Sequence, residues 1–323
     1  MKRRDLLHFA AGMAIAWSPA LASAATPRIG FIGPGSGEIA QRPLAALRDG
    51  LRALGWTDGV NLLILDRWAE EHAERLPGIA RELIGSDVDI LVTVGTLATL
   101  AATSATATIP IVMVGSGDPV ALGIVESLAQ PGGNATGLSL SSLELIAQRL
   151  QLLKELVPNL DRVAIIVRDD PGLEQKLLGI RNVAEQMGLD VLELEATSGR
   201  ALEFAFILRR NDRCDAIYVA SGPLGPAKRA EIIALAADAR LPAIYSFGLF
   251  AVGGGLMSFA TDDNDLFRRA ATFVDRILKG ANPAGIPVEP PIKFELIINL
   301  KAAKALRLSV PTSLLARADQ VIQ

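Results

Sequence analysis

Residues Asp89–Pro119 read DILVTVGTLATLAATSATATIPIVMVGSGDP. The stretch holds two short runs, Asp89–Val94 and Ile109–Val114, that are largely β-branched and apolar. This pattern is typical of parallel strands that are buried on both faces. Each run stops at small polar residues, Gly95-Thr96 in the first case and Gly115–Asp118 in the second. Ligands bind outside the carboxyl ends of strands in open α/β sheets, so we predict that these two loops form a binding site.

Strands and helices alternate on both sides of this stretch. Before it come a strand at Arg28–Ile32, a glycine-rich loop, a helix near Pro43–Leu54 and a strand at Leu62–Leu65, and after it we predict a helix at Ala121–Ala129. The same order starts again with a strand at Arg162–Val167. Short connections of this kind imply a parallel sheet with right-handed crossovers. The predicted fold class is therefore α/β, with two lobes that have parallel sheets and form a hinged clamshell.

Composition and charge narrow the possible partners. Apolar residues make up 50% of the 323 residues, aromatic residues only 5%, and the net charge is −3. Basic residues form no stripe or cluster, so we expect no nucleic-acid and no anionic-lipid partner. The single cysteine, Cys214, excludes an intramolecular disulfide and a cysteine-based zinc cluster, and we predict a buried structural thiol.

The first 25 residues have the pattern of a secretory signal peptide. Lys2-Arg3-Arg4 precedes an apolar run that continues to Trp17, and Ala22-Ser23-Ala24 resembles a cleavage site. We expect cleavage near Ala24/Ala25 and export to the periplasm. Sec and twin-arginine export both stay open.

Residues that could carry catalysis are scarce. The loop Gly33–Gly37 lacks the third glycine of a dinucleotide fingerprint at the required spacing, and the sequence contains no phosphate-binding loop of the G-x-x-x-x-G-K-[ST] type. His72 is the one histidine after the signal region, it stands among glutamates, and we expect it at the surface. Ligand clusters for a metal are missing as well. These features favour a binding protein that uses no cofactor or metal. The alternatives are a sensor module of the same fold and an NAD-dependent enzyme.

From Arg28 onward, the chain resembles the periplasmic substrate-binding proteins of ABC transporters, in the family grouped with tryptophan and tyrosine uptake. The matching phrases are Leu54-Gly55-Trp56, Arg67-Trp68-Ala69-Glu70, Val92–Thr96, Gly117–Val120, Pro131–Gly137, Leu266–Ala271, Lys293–Leu296 and Asn299–Lys304. The resemblance implies a type I periplasmic binding protein fold, with two Rossmann-like lobes, three crossing strands and a ligand between the lobes.

Domain boundaries and partners follow from the same resemblance. It implies an N-terminal lobe of residues 26–138 plus 262–282 and a C-terminal lobe of residues 139–261 plus 283–323. The implied function is capture of an amino acid or related carboxylate and its delivery to a membrane permease and its ATPase, and we expect a monomer. A ligand-sensing module that feeds a signalling receptor is the alternative.

The candidate ligand-binding residues stand mainly at predicted strand ends. They are Gly35, Ser36, Gly95, Thr96, Ser116, Gly117, Asp118, Thr136, Asp169, Ser221, Tyr245 and Phe247.

Both loops of the opening stretch are expected to begin helices, whose dipoles favour a ligand carboxylate. Asp118 would either cap its helix, which we favour because Pro119 follows it, or offset a ligand ammonium. Tyr245 and Phe247 would either stack on the ligand or pack the hinge.

Overall fold

The structure is a computed structural model that describes residues 26–35, 41–140, 143–167, 171–195, 214–220 and 228–323. Its strands are β1 (Arg28–Gly33), β2 (Leu63–Trp68), β3 (Ile90–Val94), β4 (Ile111–Ser116), β5 (Ala135–Ser139), β6 (Arg162–Val167), β7 (Asp190–Glu195), β8 (Ala216–Val219), β9 (Ala243–Tyr245), β10 (Met257–Thr261), β11 (Phe294–Asn299) and β12 (Gln320–Ile322). Its α-helices are α1 (Gln41–Ala53), α2 (Leu76–Ile84), α3 (Gly95–Ala105), α4 (Leu143–Leu156), α5 (Leu173–Gln186), α6 (Arg229–Asp238), α7 (Gly248–Val252), α8 (Asp263–Leu278), α9 (Leu300–Ala305) and α10 (Thr312–Arg317). Short 3₁₀ helices occupy Ala73–Arg75 and Pro283–Gly285.

The first sheet has five parallel strands in the order β2-β1-β3-β4-β5. Successive side chains of β1 enter different cores: Phe31 packs with α1 and α8 on one face, and Ile32 packs with α2 and α3 on the other. Both side chains are fully buried. Burial of both faces is the reason why the strands of the opening stretch are mostly apolar.

The second sheet has seven strands in the order β12-β11-β10-β9-β8-β6-β7. The strands β7, β6, β8, β9 and β10 are parallel, whereas β11 runs antiparallel to β10. Its largest core cluster holds residues from α4, α5 and the sheet. Two α/β lobes are therefore present, as the sequence predicted, but only the first sheet is wholly parallel, because β11 and β12 run against the other five strands of the second.

The chain passes between the sheets three times, each time at the edge where parallel strands end. It leaves the first sheet after β5, returns from β10 into α8, and crosses again through residues 286–293 before β11. The crossing segments are bonded to each other: Ser139 N–H donates to Glu289 O at 3.0 Å, and Asp262 N–H donates to Lys293 O at 3.0 Å. The exact lobe boundaries given above stay a prediction.

The predicted helix Ala121–Ala129 is wrong, because this segment is a series of turns. Gly123 has a φ of 67°, which interrupts a right-handed helix. The N–H groups of Ile124 and Val125 both donate to Pro119 O, at 2.8 and 3.1 Å. Those two side chains are buried in the core, so tertiary packing and the glycine override the local helix pattern.

The solvent exposure of two side chains confirms two smaller predictions. The thiol residue Cys214 is buried, and His72 is exposed and pairs with Glu74 at 3.0 Å. Within the described ranges, every helix is too short or too polar to cross a bilayer.

Candidate functional site

The site is built at the carboxyl edge of the first sheet. Strands β1, β3 and β4 end side by side at Gly33, Val94 and Ser116. In the sheet, β2 lies on one side of β1 and β3 lies on the other. The chain runs from β1 to β2 and then crosses back past β1 to β3. The sheet therefore has a topological switch point between β1 and β3, the position where open α/β sheets bind ligands.

Helix α3 begins directly at this edge. Gly95 is its first residue and has a φ of 76°, a left-handed conformation that favours glycine. The preceding residue, Val94, provides no side-chain cap, whereas Asp262 caps α8 by accepting from Asp265 N–H at 3.1 Å. First-turn N–H groups without a side-chain cap, together with the helix dipole, suit a carboxylate ligand.

A hydrogen bond joins the two predicted loops. Thr96 Oγ1 accepts from Gly117 N–H at 2.9 Å, and Ser139 Oγ donates to Gly117 O at 3.0 Å. The hydroxyls of Thr96, on α3, and Ser139, on β5, therefore bind both backbone polar groups of Gly117, its N–H and its carbonyl oxygen. The structure therefore brings Gly95, Thr96 and Gly117 together, and their role in ligand binding stays a prediction.

Asp118 follows directly and caps a turn. Its Oδ1 accepts from Val120 N–H and from Ala121 N–H, each at 3.1 Å. The capping role was the one that the sequence favoured. The expected helix is absent, however, so the helix-dipole effect predicted for this second loop does not apply.

Ser116 and Thr136 lie inside the lobe, with fully buried side chains. Thr136 Oγ1 donates to Ile286 O at 2.7 Å, so it ties the middle of β5 to a crossing segment. The buried hydroxyl of Ser116 has no hydrogen-bond partner among the described residues. Neither side chain is brought to the loop surface with Thr96.

The loop after β1 is bonded to the segment that follows β2. Gly33 O accepts from Ala69 N–H at 2.9 Å, and Gly35 O accepts from Glu70 N–H at 3.2 Å. Gly35 is half-buried at the edge of the sheet. The other predicted residues of such loops, Ser36, Asp169 and Ser221, lie outside the described residues.

The second lobe places its two aromatic candidates differently. Tyr245 is 1% exposed and stacks on Phe250, with ring centroids 4.7 Å apart. Burial also raises the pKa of the Tyr245 phenol. Phe247 is only partly buried, just beyond the end of β9. Tyr245 therefore packs in a core cluster of the second lobe, whereas Phe247 packs against that cluster and stays partly exposed.

A cavity of about 270 Å³ lies where the crossing segments meet the second sheet. The residues around it are Asp262, Asn264, Lys293, Phe294, Glu295 and Asp319. Burial raises the pKa of Glu295, and the nearby carboxylates of Asp262 and Asp319 raise it further. Sequence reasoning did not identify this cavity, because its lining residues come from separate segments.

Two further residues of this edge, Ser139 and Trp68, are absent from the predicted set. Each stands at the carboxyl end of a strand of the first sheet, where the rule applied to Thr96 and Ser116 would have found it.

Comparison with known proteins gives the family. Residues 36–322 match the family described as ABC transporter substrate binding protein. A curated relative from Clostridioides difficile, the "Tyrosine-binding protein", is 27% identical over 253 residues, which cover 78% of this chain and 72% of that protein.

Two solved structures are similar over nearly the whole chain. A conserved domain protein of Vibrio cholerae is 28% identical with a TM-score of 0.85, and covers 92% of this chain and 99% of its own. An ABC domain of Streptococcus pneumoniae, solved in complex with L-Trp, is 25% identical with a TM-score of 0.85, and covers 92% of this chain and 100% of its own. The two-lobed fold, the loop geometry and these matches lead to one conclusion: the chain belongs to the ABC transporter substrate binding protein family.

Proposed function

We propose that this protein is an exported solute-binding protein that captures an amino acid or a related carboxylate between its two lobes. It then delivers the ligand to the permease and ATPase of an ABC transporter. Family membership supports the binding class. The names of the C. difficile and S. pneumoniae relatives make L-tyrosine and L-tryptophan the first ligands to test.

The observation that carries this proposal is the start of α3 at the switch-point edge. Its first turn has no side-chain cap from Val94, and its second residue, Thr96, fixes the neighbouring loop through Gly117. Backbone N–H groups at such a position bind carboxylates through charge-assisted hydrogen bonds. A carboxylate is the group that all amino acids share.

Thermal unfolding and isothermal titration calorimetry test the proposal. L-Tyrosine at 100 times its dissociation constant should stabilise the exported protein by about 2.7 kcal/mol. Tyramine, which has the same ring and amine but no carboxylate, is the matched control and should stabilise it far less. If none of the proteinogenic amino acids binds, the proposal is wrong.

Export and delivery have separate tests. N-terminal sequencing of the protein recovered from the periplasm should begin near Ala25. Deletion of the gene should reduce uptake of the bound amino acid, and restoring the gene should recover it.

A further inference from the structure

We propose that Trp68 forms one wall of the ligand site and stacks its indole on the planar side chain of the ligand. This inference rests on the proposed function and names a residue that sets its specificity.

Trp68 stands at the carboxyl edge of the first sheet, as the last residue of β2. It lies in register with Gly33, the last residue of β1. A Cβ atom added to Gly33 would lie 2.1 Å from Cζ3 of the indole. The six-membered part of the indole therefore rests directly on the Gly33 backbone, and the ring extends from the edge strand over the end of β1 toward the switch point.

The ring is held in one orientation. Its Nε1 donates to Asp66 Oδ2 at 2.7 Å, and its centroid lies 5.1 Å from that of Phe31 at an interplanar angle of 52°. The side chain nevertheless remains partly exposed. A rigid aromatic ring of this kind loses little conformational entropy when a ligand packs on it.

The backbone after Trp68 supports the same interpretation. Glu70 and Glu71 are consecutive non-glycine residues with positive φ values, 53° and 67°. Their N–H groups donate to Gly35 O and Pro34 O, at 3.2 and 2.9 Å. Unfavourable backbone conformations of this kind cluster at ligand sites, and here they fasten the Trp68 segment to the predicted binding loop.

Position in the fold separates Trp68 from the other partly exposed aromatic rings in the described parts of the chain. Those that are partly exposed are Trp56, Trp68, Phe247, Phe259 and Phe294. Phe259 and Phe294 stack on each other at 5.6 Å. Trp56 donates to Asp275 near the end of α8, at the opposite edge of the sheet. Phe247 lies in the second lobe, just beyond the end of β9, so Trp68 is the partly exposed ring at the carboxyl edge of the first sheet.

Trp56 provides a matched control for Trp68. Both indoles are partly buried, and both donate Nε1 to an aspartate, at 2.9 and 2.7 Å. After removal of the predicted signal peptide, which contains Trp17, these are the two tryptophans of the chain. The variants Trp56→Leu and Trp68→Leu each leave one indole as a fluorescent reporter.

The experiment combines calorimetry with indole fluorescence during titration with L-tyrosine, excited where tyrosine does not absorb. Trp56→Leu should bind as the parent does, and its emission, which comes from Trp68, should change in step with saturation. Trp68→Leu should bind about tenfold more weakly or worse, and its remaining emission should stay constant.

Two results would overturn the inference. One is Trp68→Leu binding with the parent's affinity. The other is a fluorescence emission of Trp56→Leu that stays constant while calorimetry shows saturation of the same variant. This second measurement does not need the Trp68→Leu variant, so it tests the inference even if Trp68→Leu fails to fold. A parent protein that binds amino acids, but none with a planar side chain, would overturn this inference alone. A parent protein that binds none of the proteinogenic amino acids would overturn the proposed function, and this inference with it.

Discussion

Thr96 Oγ1 accepts a hydrogen bond from the backbone N–H of Gly117 at 2.9 Å. The two residues are 21 positions apart: Thr96 is the second residue of α3, which follows β3, and Gly117 follows β4. Because Gly117 O also accepts from Ser139 Oγ, the Gly117 backbone is fixed relative to three neighbouring strands. Among the described residues the hydroxyl proton of Thr96 has no acceptor, so one residue can orient the loop and contact a ligand.

Replacing Thr96 by Val should weaken L-tyrosine binding by about 1–3 kcal/mol. The variant loses the acceptor for Gly117 N–H and the hydroxyl that would donate to the ligand. Isothermal titration calorimetry measures the change. Thr103→Val is the control, since Thr103 lies on the same helix and bonds only to the helix carbonyls of Thr99 and Leu100. Equal affinities for Thr96→Val and the parent would contradict the placement of the site.

Ser116 and Ser139 are paired in register on β4 and β5, yet they should respond differently to substitution. Ser116→Ala removes a buried hydroxyl without a partner among the described residues, and should leave stability unchanged or raise it by about 1 kcal/mol. Ser139→Ala removes a donor to Gly117 O and should lower the free energy of unfolding by about 1 kcal/mol. Urea denaturation of the two variants makes the comparison. If Ser116→Ala weakens L-tyrosine binding, the Ser116 hydroxyl contacts the ligand after all.

Asp118→Asn should bind L-tyrosine within about twofold of the parent, because an amide oxygen can still accept from Val120 and Ala121. Asp118→Ala should lower the free energy of unfolding by about 1 kcal/mol through loss of the cap. Calorimetry and chemical denaturation test the two statements. A loss of affinity of about tenfold in Asp118→Asn would instead assign Asp118 as the counter-charge of the ligand ammonium.

Stability should depend on pH through Asp275, a buried carboxylate that accepts from Trp56 Nε1 at 2.9 Å and pairs with Lys279 Nζ at 2.7 Å. Burial alone would raise the pKa of Asp275, but hydrogen bonds from Lys279 and Trp56 outweigh burial and lower it. A carboxylate whose pKa is lower in the folded state stabilises the fold above its unfolded pKa, about 3.9, and this contribution is lost as the pH falls further.

Asp275→Asn should therefore be less stable than the parent at neutral pH, and the difference should shrink below about pH 4. Thermal unfolding across this range measures it. Asp49→Asn is the control, because Asp49 pairs with Arg52 on an exposed surface of α1. A constant difference between Asp275→Asn and the parent would exclude the titration of Asp275 as the cause.

Closure of the lobes should accompany binding. In the present structure Leu122, in the loop after β4, approaches the second lobe: a Cβ atom added to Gly172 would lie 3.5 Å from Leu122 Cδ2. Small-angle scattering should show a smaller radius of gyration with L-tyrosine than without it, as expected for hinge closure around a ligand. The same concentration of tyramine serves as the control, and an unchanged radius at saturation would indicate a rigid site.

The amino-acid sequence by itself determined the elements and their alternation. The runs Ile90–Val94 and Ile111–Ser116 are strands because β-branched apolar residues favour buried parallel strands, and Asp262 caps α8 because its side chain reaches an N–H three residues away. These preferences are local. The site loops could be predicted for the same reason, since they are the segments where apolar strands stop.

Only the tertiary structure decided which of these residues meet. The bond from Gly117 to Thr96, the burial of Tyr245 against Phe250 and the position of Trp68 on Gly33 all join separate segments, so no local pattern specifies them. The failed helix at Ala121–Ala129 has the same cause. Its apolar spacing suited a helix, but burial of Ile124 and Val125 and the left-handed Gly123 were energetically more important than local propensity.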